Sequence, residues 1–172
     1  MIRKAVYDDI IRVSEIYEDI HTDEEAGKTT TGWIRGIYPV CDTAKKAYEN
    51  NELYVMEKGG EVVAAARFNK IQDDMYSDGQ WQYEEDDDKI MVMHTLVVSP
   101  SHRGKGYAKE FAAFYEEFAT ENRCNVLRID TNERNTGARK LYEKLGFSQA
   151  GIVPCDFNGL KGVRLVLLEK KL

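Results

Sequence analysis

The chain has 172 residues, 42% of them apolar and 31% charged, which is enough to bury a real core and ordinary for a globular protein. Its 24 basic and 30 acidic residues leave a net charge of −6, which excludes general nucleic-acid binding. The first residues lack the apolar stretch of a signal peptide, no run reaches membrane-spanning length, and Cys41, Cys124 and Cys155 are scattered, so one reduced, cytoplasmic domain over 1–172 is expected, with no membrane contact and no metal site.

Residues 2–6 read as a short strand. Residues 8–20 read as a helix, because Ile10, Ile11, Val13, Ile16, Tyr17 and Ile20 fall largely on one side. Residues 21–40 hold Gly27, Gly32, Gly36 and Pro39 and read as a loop. Residues 42–50 read as a second helix, capped by Asp42 or Thr43. Two strands, Leu53–Glu57 and Val62–Asn69, flank a hairpin turn at Gly59-Gly60. Between Gln72 and Asp88 there are eight acidic residues, no basic one, and Met75, Tyr76, Trp81 and Tyr83. That stretch is either a solvated insertion or an acidic, aromatic flap that attracts a cationic amine. A strand at 89–98, a helix at 106–121, a strand at Val126–Asp130 and a helix at 136–145 follow. Phe147–Val153 reads as a strand, and Asn158-Gly159 turns the chain into a last strand, Val163–Glu169.

Two segments carry chemistry. In the first, the apolar Leu96-Val97-Val98 runs through Ser99-Pro100 into Arg103-Gly104-Lys105-Gly106-Tyr107-Ala108-Lys109 and a helix. Glycines let backbone approach a ligand closely, and the first N–H groups of a helix are free donors at its positive end, so the segment suits an anion such as phosphate. The dinucleotide fingerprint fails because its third glycine position is Lys109, and no Walker string occurs in the chain. On its own the segment reads equally as a glycine-softened helix start. The second segment is Asn135-x-x-Ala138-x-x-Leu141-Tyr142-x-x-x-Gly146-Phe147, a helix with an N-cap asparagine and a C-terminal glycine. Ala138, Leu141, Tyr142 and Leu145 share one face, where Tyr142 alone would read as a core tyrosine.

Arg103-x-x-Gly106-x-Ala108 after an apolar strand resembles the acetyl-CoA pyrophosphate loop of the GNAT superfamily of N-acetyltransferases, and the second segment resembles the family's other hallmark. The resemblance implies an α/β fold with a central mixed, splayed sheet of about seven strands flanked by about four helices. It implies acetyl transfer from acetyl-CoA to a primary amine by direct attack in a ternary complex. The alternative is a CoA-binding sensor or scaffold of the same fold without turnover. Family roles carried onto this chain give Leu96, Val97 and Val98 to the pantetheine arm, with a backbone N–H near Val97 or Val98 for the oxyanion. They give the amides from Gly104 through Lys105, Gly106, Tyr107 and Ala108 to Lys109 to the pyrophosphate, with Arg103 and Lys105 adding charge. Asn135 contacts the cofactor arm and Tyr142 protonates the departing thiolate.

The base is open between His94, Asp130 and water. Strand alternation places His94 in phase with Leu96 and Val98, and some relatives carry a histidine at this place. Some carry a glutamate at the position of Asp130. Trp33 and Tyr38 either line the acceptor pocket or fill the core, and Arg35 is a candidate grip for a substrate carboxylate. The acceptor stays open between a small-molecule amine and a peptide or protein amine, and a homodimer is possible.

Overall fold

The computed structural model describes residues 1–172. The strands are β1 (Ile2–Lys4), β2 (Leu53–Lys58), β3 (Glu61–Asn69), β4 (Ile90–Val98), β5 (Val126–Asn132), β6 (Ser148–Phe157) and β7 (Leu160–Lys171). The helices are α1 (Asp9–Glu25), α2 (Cys41–Glu49), α3 (Tyr107–Glu121) and α4 (Thr136–Lys144), with short 3-10 turns at Asp74–Asp78, Asp87–Lys89 and Pro100–His102. The seven strands form one mixed sheet in the order β1-β2-β3-β4-β5-β7-β6. Only β4 and β5 run parallel; every other neighbour pair is antiparallel.

Local chemistry explains the boundaries. Gly59 and Gly60 take φ of 62° and 81°, so both centres of the β2–β3 turn are left-handed and match the twist of the strands they join. Asn135 Oδ1 accepts the Ala138 N–H at 3.2 Å and starts α4, and Gly146 at φ 86° ends it. The first helix continues beyond its apolar stripe to Glu25, five residues further than the periodicity predicts. Two polar anchors extend it: buried His21 bonds the Pro39 carbonyl at 2.8 Å, and Glu24 accepts the N–H groups of Thr31 and Gly32. The start of α2 also differs from expectation, since neither Asp42 nor Thr43 is its N-cap. Val40 holds that position, the Thr43 hydroxyl accepts the Val40 N–H at 3.0 Å, and Asp42 pairs with Lys46 at 2.7 Å within the helix. The last strand is longer than predicted, because Leu160–Lys171 pairs with β6 on one side and β5 on the other.

The sheet has two packed faces. On one, Phe111 and Tyr115 of α3 and Tyr142 of α4 pack on Met91, Met93, Leu127 and Ile129. Phe68 of β3 stacks on Tyr115 there, with ring centroids 5.3 Å apart. Burying each such ring stabilises the fold by roughly 1.5–3 kcal/mol. On the other face, α1 and α2 cover Leu53, Val55, Ala65 and Val97, while Met75 and Tyr76 cover Ile90, Val92, Leu165 and Leu167. The acidic stretch is therefore anchored by its apolar residues and is no free insertion.

One irregularity in β4 decides how its residues face. Arg67 lies opposite His94 and Ala65 opposite Val97, so Ala66 alone faces both Thr95 and Leu96. This is a β-bulge, and Thr95 takes φ 54° within it. One extra residue reverses the alternation. Met91 and Met93 point to the α3–α4 face, then Leu96 and Val98 do, while Val97 points to the α1–α2 face. His94 is therefore out of phase with Leu96 and Val98, contrary to simple alternation.

Candidate active site

The two parallel strands form a fork. β4 and β5 are hydrogen-bonded only from Ile90 to Val92 and from Val126 to Arg128. Beyond that point β5 continues along β7, while β4 follows β3. Tyr115 Oη sits at the crotch, 2.6 Å from the Met91 carbonyl and 3.0 Å from the Arg128 carbonyl, and its proton serves backbone acceptors on both strands. The part of β4 facing the fork is an open strand edge, able to bond an extended ligand as a further strand would.

A cleft runs through this fork. Its walls include His94, Leu96, Val97, Val98, Arg103, Asn135 and Tyr142, so seven residues predicted from sequence meet in one place. Asp130, Trp33 and Tyr38 line it as well. Trp33 and Tyr38 meet edge to face at 5.9 Å, and Tyr38 meets Phe157 at 5.4 Å. The Tyr38 hydroxyl bonds Thr95 Oγ1 beside the bulge. A second hollow on the α2 side shares Tyr38, His94, Thr95 and Phe157 with the cleft and adds Arg67 and Asp73.

Residues 104–109 are not among the walls; they follow Arg103 at one end of the cleft, where Gly106 precedes α3. Gly104 and Gly106 take φ of 77° and 81°, and a Cβ at either would meet nothing within 4 Å. The space beside the backbone is open, and the loop leads into the N-terminus of the 15-residue α3, whose first N–H groups have no partner within the helix. Arg103 differs from expectation in its partner, because its guanidinium is paired with Asp23 of α1. Lys105 and Lys109 have no such partner, so the loop's uncommitted positive charge is theirs.

Tyr142 is buried, with its ring edge-on to Phe147 at 5.7 Å. Burial, helped by the charge of Asp130, pushes its phenol above the ordinary range, so it is protonated at neutral pH. Asp130 Oδ2 accepts the Tyr76 hydroxyl at 2.8 Å. Burial pushes its carboxyl up to about 6, and neighbouring Asp73 adds to the rise. His94 is buried on the opposite face of β4 from Leu96, with Nε2 3.0 Å from Asn69 Oδ1 and Nδ1 3.5 Å from Asp73 Oδ2. Arg35 is not at the site: its guanidinium is occupied by Glu18, Glu25 and Thr22 on the α1 surface, which withdraws it as a grip for substrate.

Sequence reasoning missed Thr95, Asn69 and Asp73. The positive φ of Thr95 leaves no mark in an apolar strand. Asp73 was hidden as one of eight acidic residues, although the aromatic Tyr76 three residues on signals that this part of the stretch turns inward.

Comparison with known proteins agrees with this geometry. The model of the Acetyltransferase (GNAT) family matches residues 13–147. An N-acetylaspartate synthetase from Xenopus tropicalis is 32% identical over 85 residues, which are 49% of this chain and 31% of that protein. The chain thus spans about a third of that relative's length. A GNAT-family acetyltransferase from Streptococcus agalactiae superposes with a TM-score of 0.82 at 22% identity, over 100% of this chain and 95% of that one. An acetyltransferase-type structure from Salmonella typhimurium, solved with its cofactor acetyl-CoA, superposes with a TM-score of 0.69 at 20% identity, over 100% and 93%. At these identities the two structures establish the fold. No helix of the chain is long and apolar enough to cross a membrane.

Proposed function

The chain belongs to the GNAT acetyltransferase family, and on that premise we propose that it transfers the acetyl group of acetyl-CoA to a primary amine by direct attack in a ternary complex. The observation that carries the reading is the cleft through the β4–β5 fork. It leads from Arg103, just before the start of α3, to the Tyr142 phenol in its wall. An apolar wall with a few convergent polar groups is what a small-molecule site needs.

In this reading the amides from Gly104 to Lys109 hold the pyrophosphate, aided by Lys105 and Lys109. The open edge of β4 bonds the pantetheine arm, and Asn135, already capping α4, contacts it from the β5 side. A backbone N–H of Val97 or Val98 holds the oxygen of the thioester carbonyl, where charge develops as the amine attacks. Tyr142 gives its proton to the departing sulfur. The acceptor enters from the α2 side, past Trp33, Tyr38 and Phe157. Two carboxylates, Asp73 and Asp130, stand on that side, which suits an amine that arrives as a cation. Calorimetry with acetyl-CoA, followed by an amine screen that reads CoA release by thiol detection, tests the proposal. Acetyl-CoA binding with amine-dependent thiol release is expected. Binding without release from any amine would favour a sensor, and no binding would remove the reading.

Asp130 adds a pH dependence that can be checked on stability alone. Its folded-state value of about 6 lies above the ~3.9 of an unfolded aspartate. Between those limits the folded chain keeps a proton that the unfolded chain has released, so this group's contribution to stability falls as pH rises from about 4 to about 6. Asp130→Asn should remove that loss. Urea denaturation at pH 4.5 and 7 should show the variant gaining on the native chain at the higher pH; an unchanged difference would refute the raised value.

A further inference from the structure

We infer that the acceptor is a free amino acid, whose carboxylate binds the guanidinium of Arg67 while its ammonium lies against Asp73. The inference rests on the proposed acetyl transfer and names the class of acceptor that reaction uses.

Arg67 has donors that the fold does not use. It lies on β3 directly opposite His94, so the two side chains share the α1–α2 face of the sheet. Its Nε donates to Glu52 Oε2 at 2.6 Å, and the same oxygen accepts from Asn69 Nδ2 at 3.0 Å. The side chain makes no other hydrogen bond, so Nη1 and Nη2, with four N–H groups between them, meet no acceptor. It is 33% exposed, against 16% for Glu52, and it borders the α2-side hollow. A guanidinium held at Nε keeps its planar fork oriented, and such a fork binds a carboxylate through two parallel hydrogen bonds. Lys46, which borders the same hollow, is already paired with Asp42.

Asp73 supplies the opposite charge. Its Oδ2 is buried with no hydrogen-bond partner, 3.5 Å from His94 Nδ1, and its side chain as a whole is 33% exposed. Arg67 and Asp73 border the same hollow but are not paired with each other. The hollow therefore has one positive and one negative wall with a gap between them. A ligand that fills the gap must carry both charges, a carboxylate for the guanidinium and an ammonium for the carboxylate. A polyamine would bring further cations against Arg67. A peptide N-terminus would bring no carboxylate for the fork. Both leave the guanidinium half used, and the polyamine adds repulsion.

The arrangement also has a direction. Asp130 borders the cleft and not the hollow, Arg67 borders the hollow and not the cleft, and His94, Thr95 and Tyr38 border both. The charges of Asp130, Asp73 and Arg67 all act on the Tyr38 phenol, so the three stand around one hydroxyl in the shared wall. With its carboxylate on Arg67, an amino acid turns its ammonium toward that wall and the cleft, where the proposed reaction takes place. Exposed Lys46 and Asn50 line the hollow as well, so its outer part is polar and open to the acceptor's side chain.

Amino acids, their primary amides and spermidine, each offered with acetyl-CoA and followed by CoA release, form the test. For the best amino acid, KM is expected to be at least about tenfold below that of its amide, which keeps the amine and loses the carboxylate. Arg67→Gln should raise KM for that amino acid about 10- to 100-fold with kcat nearly unchanged, and should leave KM for the amide where it was. Arg67→Lys keeps a charge beside Glu52 and loses the fork, so it should fall between the two. A structural role would harm both substrates alike, so equal losses on amino acid and amide would overturn the inference. Better turnover of the amide or of spermidine by the native chain would do the same. Calorimetry of the same ligands with the CoA-bound chain separates the pocket from the reaction. Amino-acid binding that Arg67→Gln abolishes, in a chain that releases no CoA with any amine, would overturn the acetyl-transfer reading and leave the pocket assignment standing. No binding of any amino acid would overturn the pocket assignment, whether or not other amines are acetylated.

Discussion

Tyr142→Phe is expected to lower kcat roughly a hundredfold or more while leaving acetyl-CoA affinity and folding stability nearly unchanged. The substitution removes one oxygen from a buried ring and keeps its edge contact with Phe147, so packing survives. In the proposed mechanism, what is lost is a proton at the place where the thiolate leaves. Burial and the charge of Asp130 hold the phenol protonated at neutral pH, so the acid form is always ready. A phenol with a raised pKa is a weak acid toward a thiolate of ordinary pKa near ~8.5. The comparison changes inside the cleft, because the same desolvation that raises the phenol raises the thiolate born beside it. Single-turnover measurements separate the chemical step from binding. A variant within twofold of the native rate, or one whose acetyl-CoA affinity falls in step with its rate, would remove Tyr142 as the acid.

The parts of this site legible in the sequence are those set by local chemistry. The glycines before α3 and the Asn135 and Gly146 punctuation of α4 depend on backbone geometry within a few residues, and both stand where the sequence places them. The gathering of Leu96, Arg103, Asn135 and Tyr142 into one cleft follows from the fold that those motifs resemble. The facing of His94 was not legible. It depends on one extra residue at Thr95, a position with no glycine or proline to mark it, and a count by twos through the bulge gives the wrong side. The fate of Arg35 and Arg103 was equally hidden, since Glu18, Glu25 and Asp23 reach them from α1 through tertiary packing. The stretch 72–88 is the clearest case. Its charge reads as a solvated surface, but two buried charged residues on other strands hold it down.

Those two residues make the second large prediction. Arg128 of β5 and Glu169 of β7 are buried cross-strand partners beneath the segment. The Arg128 guanidinium lies 3.9 Å from the centre of the Trp81 ring, donates to the Tyr83 carbonyl at 3.1 Å and bonds Gln72. Glu169 accepts the N–H groups of Gln82 at 2.6 Å and Tyr83 at 3.2 Å. Burial pulls the guanidinium below its ordinary range, and the charge of Glu169 opposes that shift. The charge of Glu169 therefore offsets part of the cost of burying Arg128. Glu169→Leu strands a buried cation and two N–H groups, and it should destabilise the chain by about 3–5 kcal/mol. Arg128→Met should do similar harm. The double variant should lose clearly less than the two single losses together, because it leaves no lone charge behind. Urea denaturation of the three variants reads this coupling, and additive losses or single losses under about 1 kcal/mol would refute it. The same variants should slow turnover more than they weaken acetyl-CoA binding. The pinned segment carries Asp73 and Tyr76 to the side of the fork proposed for the acceptor, while the glycine loop and the start of α3 stand apart from it.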